Sequence, residues 1–272
     1  MQLDPSAIDA GVRLAALGTV ESTNKEALLR ARNGERPPLW VTAIAQTGGR
    51  GRNGRHWFSP PGNLYASLLL ANPSTFDRAP ELAFVAALAS RDAIVALAPA
   101  LAPQLSFKWP NDLLLAGKKC AGILIEGEVG QPLGTTVVIG IGVNCAHQPQ
   151  APIAGDPILF PATHLRAHGA EIMPQALFGA LSATMCRRIA TWDRGCGLPI
   201  ILHDWLSTAS GVGERIIVRD GFSERTGRFI GLDQSGRLVL EQASGRIERV
   251  AAGDVFPFKR GNERSASPEP AE

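Results

Sequence analysis

The sequence has almost no net charge. Lysine and arginine number 27 against 25 acidic residues over 272 positions, a formal balance of +2, so there is no global electrostatic footprint for nucleic acid and any anion binding has to be local. Cysteine is also sparse. Cys120, Cys145, Cys186 and Cys196 show neither C-x-x-C spacing nor the density of a secreted disulfide scaffold, which points to reduced thiols and a cytoplasmic protein. No basic leader followed by an apolar stretch opens the chain, where Asp4 and Asp9 come early, so no export signal is expected. The longest apolar run, AFVAALASRDAIVALAPALA, is broken by Arg91 and Asp92 and falls short of the roughly 18 residues a membrane span needs. A P-loop pattern, GxxxxGK[ST], is missing, and no internal repeat is visible.

What is present describes an ordinary globular chain. A hydrophobic fraction of 45% with 19% charged residues supplies a sizeable core and excludes dominant disorder. The length predicts a large domain followed by a small one. Residues 23–33 read as a helix, because Thr23 and Glu26 are spaced as a capping box and Gly34 follows a basic last turn. LWVTAIAQ (39–46) and LYASLLL (64–70) read as strands flanking a glycine-rich loop, and 80–98 has helical apolar spacing that ends at Pro99. LSFKW (105–109) is extended. DLLLAGKKCAGILIEGE reads as two strands joined by a tight turn at Gly117 and Lys118, and TTVVIGIGVN (135–144) as another strand. A loop spans 147–171, and a helix starts at Pro174 and runs toward Trp192. Beyond about 208, short strands (RIIVR, RFIGL, RLVLE, RIERV) alternate with Gly, Asp and Ser, as in a small β-barrel. The polar tail 261–272 has nothing to bury and is expected to be disordered.

The chemistry concentrates in GGRGRNGRHWFSPPGN, residues 48–63, where Arg50, Arg52 and Arg55 alternate with glycines. By itself such a loop suits a solvated surface, a small anion, or nucleic acid. The GxGxxG that can be read at Gly49, Gly51 and Gly54 is not a dinucleotide fingerprint, because HWFSPPG cannot form the helix that must follow. KWPND (108–112) is turn chemistry flanked by Lys108 and Lys119, with Asp112 a candidate metal or guanidinium partner. GIGVN (140–144) sets two glycines and Asn144 at a strand end, for close packing or for a ligand. Ser22, Thr23 and Asn24 suit either a helix cap or ligand recognition at a helix N-terminus. Trp57 reads as packing or as a lid, Cys120 and Cys145 as buried small residues, and His56 has no evident partner.

Taken in order, ESTN, QTGGRGRNGRHWFSPPGNLYASLLL, KWPNDLLLAGKKCAGILIE, VVIGIGVN and the terminal GDVFPF resemble the biotin protein ligases over residues 13–258. That resemblance implies an α+β fold: a mixed-sheet catalytic domain with helices packed on it over 1–207, and an SH3-like barrel over 208–260. It implies two steps: biotin and MgATP give biotinyl-5′-AMP, and a lysine of a biotin carboxyl carrier domain then attacks the mixed anhydride. The acceptor that the resemblance implies is the carrier domain of acetyl-CoA carboxylase, with other biotin-dependent carboxylases as further candidates. By motif match, Ser22, Thr23, Asn24 and Gln46 read the ureido ring; Arg50, Gly51 and Arg52 enclose carboxylate and phosphate; Lys119 contacts one of those anions; and Gly122, Gly140 and Gly142 allow close approach. Arg52, Arg55, Trp57, Asn111 and Asn144 fall to the nucleotide, Lys108 and Asp112 to catalysis, and Asp112 to Mg²⁺. The loop carrying Phe160 is expected over adenine.

Some relatives of this kind carry an N-terminal winged-helix DNA-binding domain; with 21 residues ahead of Ser22, neither that domain nor a DNA partner is expected, and the chain should be a monomer or homodimer without a membrane partner. Asn53 and His56 stand where other members often have basic residues. The rival readings are a lipoate-protein ligase, which shares the fold and the lysine acceptor, and a nucleic-acid binder using the Arg-Gly loop.

Overall fold

The computed structural model describes residues 1–130, 133–149, 161–220 and 223–258. Phe160 and the 261–272 tail lie outside the described residues. In chain order the elements are α1 (Pro5–Asp9), β1 (Arg13–Val20), α2 (Thr23–Arg32), β2 (Leu39–Gln46), β3 (Leu64–Ala71), α3 (Leu82–Leu97), β4 (Leu105–Lys108), β5 (Asp112–Leu115), β6 (Lys118–Gly130), β7 (Gly134–Val143), α4 (Pro174–Trp192), α5 (Leu198–Leu206), β8 (Arg215–Arg219), β9 (Glu224–Leu232), β10 (Leu238–Glu241), β11 (Ile247–Val250) and β12 (Asp254–Pro257). A seven-stranded sheet runs β1-β2-β3-β7-β6-β5-β4, and a five-stranded sheet runs β11-β10-β9-β8-β12. The first is mixed: β1 and β2 pair parallel and its other neighbours antiparallel. The second is antiparallel throughout, as in SH3-like barrels.

Strand parity decides what each face of the large sheet meets, since successive side chains point to opposite sides. On β2, Leu39 and Val41 join Ala27 and Ala31 of α2 in a small cluster, whereas Trp40 faces the main core and meets Phe178 of α4 edge-on at 5.6 Å. The same alternation on β7 sends Val137, Ile139 and Ile141 into the main core and Val138 toward α2. Gly140 and Gly142 therefore share the α2 face. α3 is buried nearly all round, from Leu82 to Ile94, because the sheet lies on one side and α4 and α5 on the other.

The barrel sheet is welded to this core. Phe107 of β4 donates its backbone N–H to the Thr208 carbonyl at 3.0 Å and accepts from Ser210 N–H at 2.7 Å, Trp109 donates its indole N–H to the Gly236 carbonyl at 3.0 Å, and Ile216, Val218 and Phe229 belong to the same apolar cluster as α3.

Three points differ from the sequence reading. β1, α1, α5 and β12 were not expected as elements: RLAALGTV is poor in β-branched residues and has no buried residue, so its strand character comes from pairing with β2. LPIILHDWL of α5 is too continuously apolar to show a helical period. The β5–β6 turn is centred on Ala116 and Gly117, both left-handed (φ 49° and 73°), with Leu115 opposite Lys118; a Gly117–Lys118 turn would break that register. The Thr23–Glu26 capping box does not form. Ser22 is the N-cap, without a side-chain cap bond, and Glu26 pairs with Arg30 instead.

Candidate active site

One cavity on the α2 face brings the sequence-nominated residues together. Ser22, Thr23, Asn24, Gln46, Arg50, Gly51, Arg52, Arg55, Trp57, Lys108, Asn111, Asp112, Lys119, Gly122, Gly140, Gly142 and Asn144 all line it. They arrive from the start of α2, the end of β2, the 48–63 loop, the β4–β5 turn, the start of β6 and the end of β7.

The polar end is built around α2. With no capping box to make, the side chains of Thr23 and Asn24 are available to the cavity. Gln46 Oε1 accepts the Thr23 backbone N–H at 2.8 Å, and its amide nitrogen donates to Ser59 Oγ at 3.0 Å. Ser67 Oγ lies 2.7 Å from Thr23 Oγ1 and 2.6 Å from Asn24 Oδ1. Asn24 Nδ2 donates to Glu126 Oε2 at 2.8 Å, and Arg50 Nη2 donates to Glu126 Oε1 at 2.8 Å. A fully wired set of donors and acceptors suits a neutral polar ring system whose hydrogen bonds must be directional.

The floor is bare by construction. Gly122 and Gly142 are cross-strand partners on β6 and β7. A Cβ on Gly142 would lie 2.5 Å from Trp57 Nε1, one on Gly122 3.2 Å from both Lys119 Cε and Trp57 Cζ3, and one on Gly140 2.3 Å from Asn24 Oδ1. These three glycines therefore hold side chains of the pocket against the sheet. Gly51 has no such constraint, its nearest atom being 3.8 Å away; the crowded loop glycines are Gly48, where a Cβ would sit 2.9 Å from Glu21 Cγ, and Gly49, where it would sit 2.4 Å from Ser59 Oγ. Trp57 Nε1 is buried without a hydrogen-bond partner among the described residues.

The charged end centres on Asp112. Its carboxylate lies 3.0 Å from Lys108 Nζ and 2.6 Å from Lys119 Nζ, and Lys119 also stands 5.3 Å from the Trp57 ring centre. Burial raises the Asp112 carboxyl pKa, but Lys119 and Lys108 more than offset it and hold the group at about 2. Asp112 is thus an ammonium partner here. Among the described residues no three His, Cys, Asp or Glu side chains form a metal cluster. Asn111 and Asn144 spend their amide nitrogens on the Ile123 and Thr163 carbonyls, so both brace the backbone around the site. His56 pairs through its backbone with Arg50. Cys120 and Cys145 are buried, and burial pushes the Cys120 thiol far up and that of Cys145 to about 12.

Sequence reasoning missed Glu126, Ser59, Ser67, Asp254 and Phe256. For Glu126 a partial signal existed: it shares strand parity with Gly122 and Leu124, which sets it on the glycine-bearing face, but Glu128 has the same parity and pairs with Arg32 of α2 instead. For Asp254 none did, because it comes from the other sheet.

Comparison with known proteins agrees with this geometry. The pattern of the Biotin/lipoate A/B protein ligase family matches residues 18–144, and that of the Biotin protein ligase C terminal domain matches 211–256. A biotin--[acetyl-CoA-carboxylase] ligase from Paracoccus denitrificans is 40% identical over 241 residues, 88% of this chain and 98% of that one. The chain belongs to the biotin protein ligase family. A further family member, the bifunctional ligase/repressor BirA of Bacillus subtilis, is 31% identical over 263 residues, 93% of this chain and 79% of that protein. Among solved structures, the biotin protein ligase of Aquifex aeolicus in complex with biotin and ATP superposes with a TM-score of 0.72 at 26% identity, covering 90% of this chain and 97% of that one. Within the biotin protein ligase fold, the cavity lies where the family's glycine-arginine loop, glycine-bearing strands and KWPND turn converge.

Proposed function

We propose that this chain is an ATP-dependent ligase that converts biotin to biotinyl-5′-AMP and passes the biotinyl group to a lysine of the biotin carboxyl carrier domain of acetyl-CoA carboxylase. The observation that carries the reading is a single cavity with a hydrogen-bonding end at Thr23, Asn24 and Gln46 and a cationic end at Arg50, Arg52, Arg55 and Lys119. Ser22, Thr23, Asn24 and Gln46 take the ureido ring; Gly122, Gly140 and Gly142 let the pocket side chains lie close to the sheet.

In the first step a biotin carboxylate oxygen bonds to the α-phosphorus of ATP while the bond to pyrophosphate breaks. Two anions must approach, so Arg50, Arg52 and Lys119 stabilise the charge spread over the phosphoryl oxygens. Mg²⁺ comes with the nucleotide phosphates and offsets their charge, and Asp112 would ligate it only by exchanging one of its two ammonium partners. In the second step the neutral ε-amine of the carrier lysine attacks the anhydride carbonyl, AMP leaves, and a proton is released. Asp112, held at about 2, is too weak a base to remove that proton efficiently at neutral pH. Its work is to hold cationic groups: Lys108 and Lys119, and the incoming lysine as an ammonium before deprotonation.

The unit over 1–207 carries the reaction and the barrel over 208–260 assists it, a division supported by the separate family matches. No helix among the described residues is long and apolar enough to cross a membrane, and the four free cysteines are consistent with a cytoplasmic place of work.

Incubation with ATP, biotin and a carrier domain, read by streptavidin blot, tests the reading. Biotinylation confined to the carrier lysine is the expected outcome. A thermal shift with lipoate but not biotin would move the assignment to lipoate ligation.

A further inference from the structure

The barrel sheet reaches into the catalytic cavity through Asp254 and Phe256 of β12. The side chain of Asp254 is 12% exposed, and its two oxygens divide between two arginines of the glycine-rich loop: Oδ1 lies 2.7 Å from Arg52 Nη2, and Oδ2 accepts from Arg55 Nη2 at 2.5 Å. The Gly253 carbonyl accepts a second bond from Arg52 Nη2 at 3.1 Å.

The loop is shaped for this. Asn53 and Gly54 are both left-handed (φ 56° and 72°), and Gly51 N–H bonds to the Arg55 carbonyl at 2.7 Å, closing a tight turn that sets Arg52 and Arg55 side by side. Two guanidinium groups so placed repel each other. A shared carboxylate offsets that repulsion and fixes both planes, since the guanidinium fork has preferred bonding directions. The barrel does not depend on this contact for attachment, because Trp109, Phe107 and the continuous core already fix it. Both bonds from Arg52 to the barrel use Nη2, which leaves the Nε–H and the Nη1 hydrogens of the same guanidinium to reach an anion.

We propose that Asp254 is a positioning residue for the nucleotide: it holds Arg52 and Arg55 as a paired fork presented to the phosphates of ATP and then of the adenylate. This deepens the ligase reading and rests on it. The barrel thereby acts on the first chemical step through its grip on the loop.

The test uses the full chain and its Asp254→Asn, Asp254→Ala and Asp254→Glu variants. Biotin affinity without nucleotide is measured by calorimetry, the ATP KM and kcat by biotin-dependent pyrophosphate release, and adenylate retention by chase of labelled biotinyl-AMP. For D254N and D254A the expected result is an ATP KM raised about tenfold, adenylate lost about tenfold faster, and biotin affinity within twofold of the parent. D254E, which keeps the charge, should recover most of the loss and carries the test if the other variants misfold. An ATP KM unchanged or lowered by D254N overturns the inference, the lowered value marking a carboxylate that competes with phosphate. Biotin affinity falling in step with ATP overturns it too, as a general loss of structure. A parent protein that makes no biotinyl-AMP sinks the ligase reading and the inference together; a parent that makes it, with D254N indistinguishable, sinks the inference alone.

Discussion

Arg50 and Glu126 form an ion pair at 2.8 Å at the α2 end of the cavity, across 76 positions of sequence, and the second oxygen of the same carboxylate takes the Asn24 amide at 2.8 Å. A single side chain on β6 thus orients one residue of the polar end and one of the cationic end. Glu126→Gln removes the charge and turns one acceptor into a donor facing a donor. Each charge-assisted bond is worth about 1.5–3 kcal/mol, so biotin affinity should fall about tenfold or more. Glu126→Asp, which keeps the charge on a shorter arm, should lose less; calorimetry with biotin alone distinguishes the two.

The buried Lys108–Asp112–Lys119 cluster makes a pH-dependent contribution to stability. The carboxyl is held at about 2 against an ordinary value of 3.8, so its share is complete above roughly pH 4 and is lost as pH falls through the folded value. Asp112→Asn leaves two lysines beside a neutral amide and should cost about 3 kcal/mol at pH 7. Urea midpoints compared at pH 7, 4 and 2.5 check this: the gap between parent and variant should hold to pH 4 and narrow below it. A gap independent of pH would assign the cost to packing.

Gly140→Ala and Gly142→Ala should separate the two ends of the cavity. The first places a methyl 2.3 Å from Asn24 Oδ1 and the second 2.5 Å from Trp57 Nε1, distances that force the neighbour to move. G140A is expected to weaken biotin by more than tenfold, and G142A to raise the ATP KM more than the biotin Kd. Equal effects of both variants on both ligands would mean that the glycines matter only for packing of the sheet.

Arg52→Gly should release the adenylate early. Arg52 follows Gly51, lines the cavity and is tethered by Nη2 to Asp254, so its loss should open the loop and remove the proposed phosphate contact at once. Labelled biotinyl-AMP should leave the variant at least tenfold faster than the parent, with biotinylation of bystander lysines rising as it does. Unchanged release would remove the retention role.

No cysteine should be needed. Cys120 is buried beside Lys119 with its thiol pushed well above the usual range, first of all by burial, and a buried thiol supplies little thiolate at neutral pH. Replacing all four cysteines with alanine or serine should leave carrier biotinylation within a fewfold of the parent, with folding checked by circular dichroism. Complete loss in Cys120→Ala alone, with adenylate still formed, would reopen a thioester route.

The sequence by itself determined the elements whose signals are local. β2 and β3 around the glycine-arginine loop, α3 and α4, and the parity that puts Gly140 and Gly142 on one face can all be read from periodicity and from residues with special backbone freedom. The order of the motifs, through the resemblance it carries, also grouped the candidate set into one site, and the structure brings those residues to one cavity. Tertiary structure alone decided the rest. β1 becomes a strand only by pairing with β2, the capping signal at Thr23 yields to Gln46 and Ser67, and the charges choose their partners across the fold. Asp112 goes to two lysines, Glu126 to Arg50, and Asp254 to arginines about 200 positions away. Ion pairing depends on distance and burial rather than on spacing along the chain, so no reading of neighbours in sequence could have assigned those carboxylates.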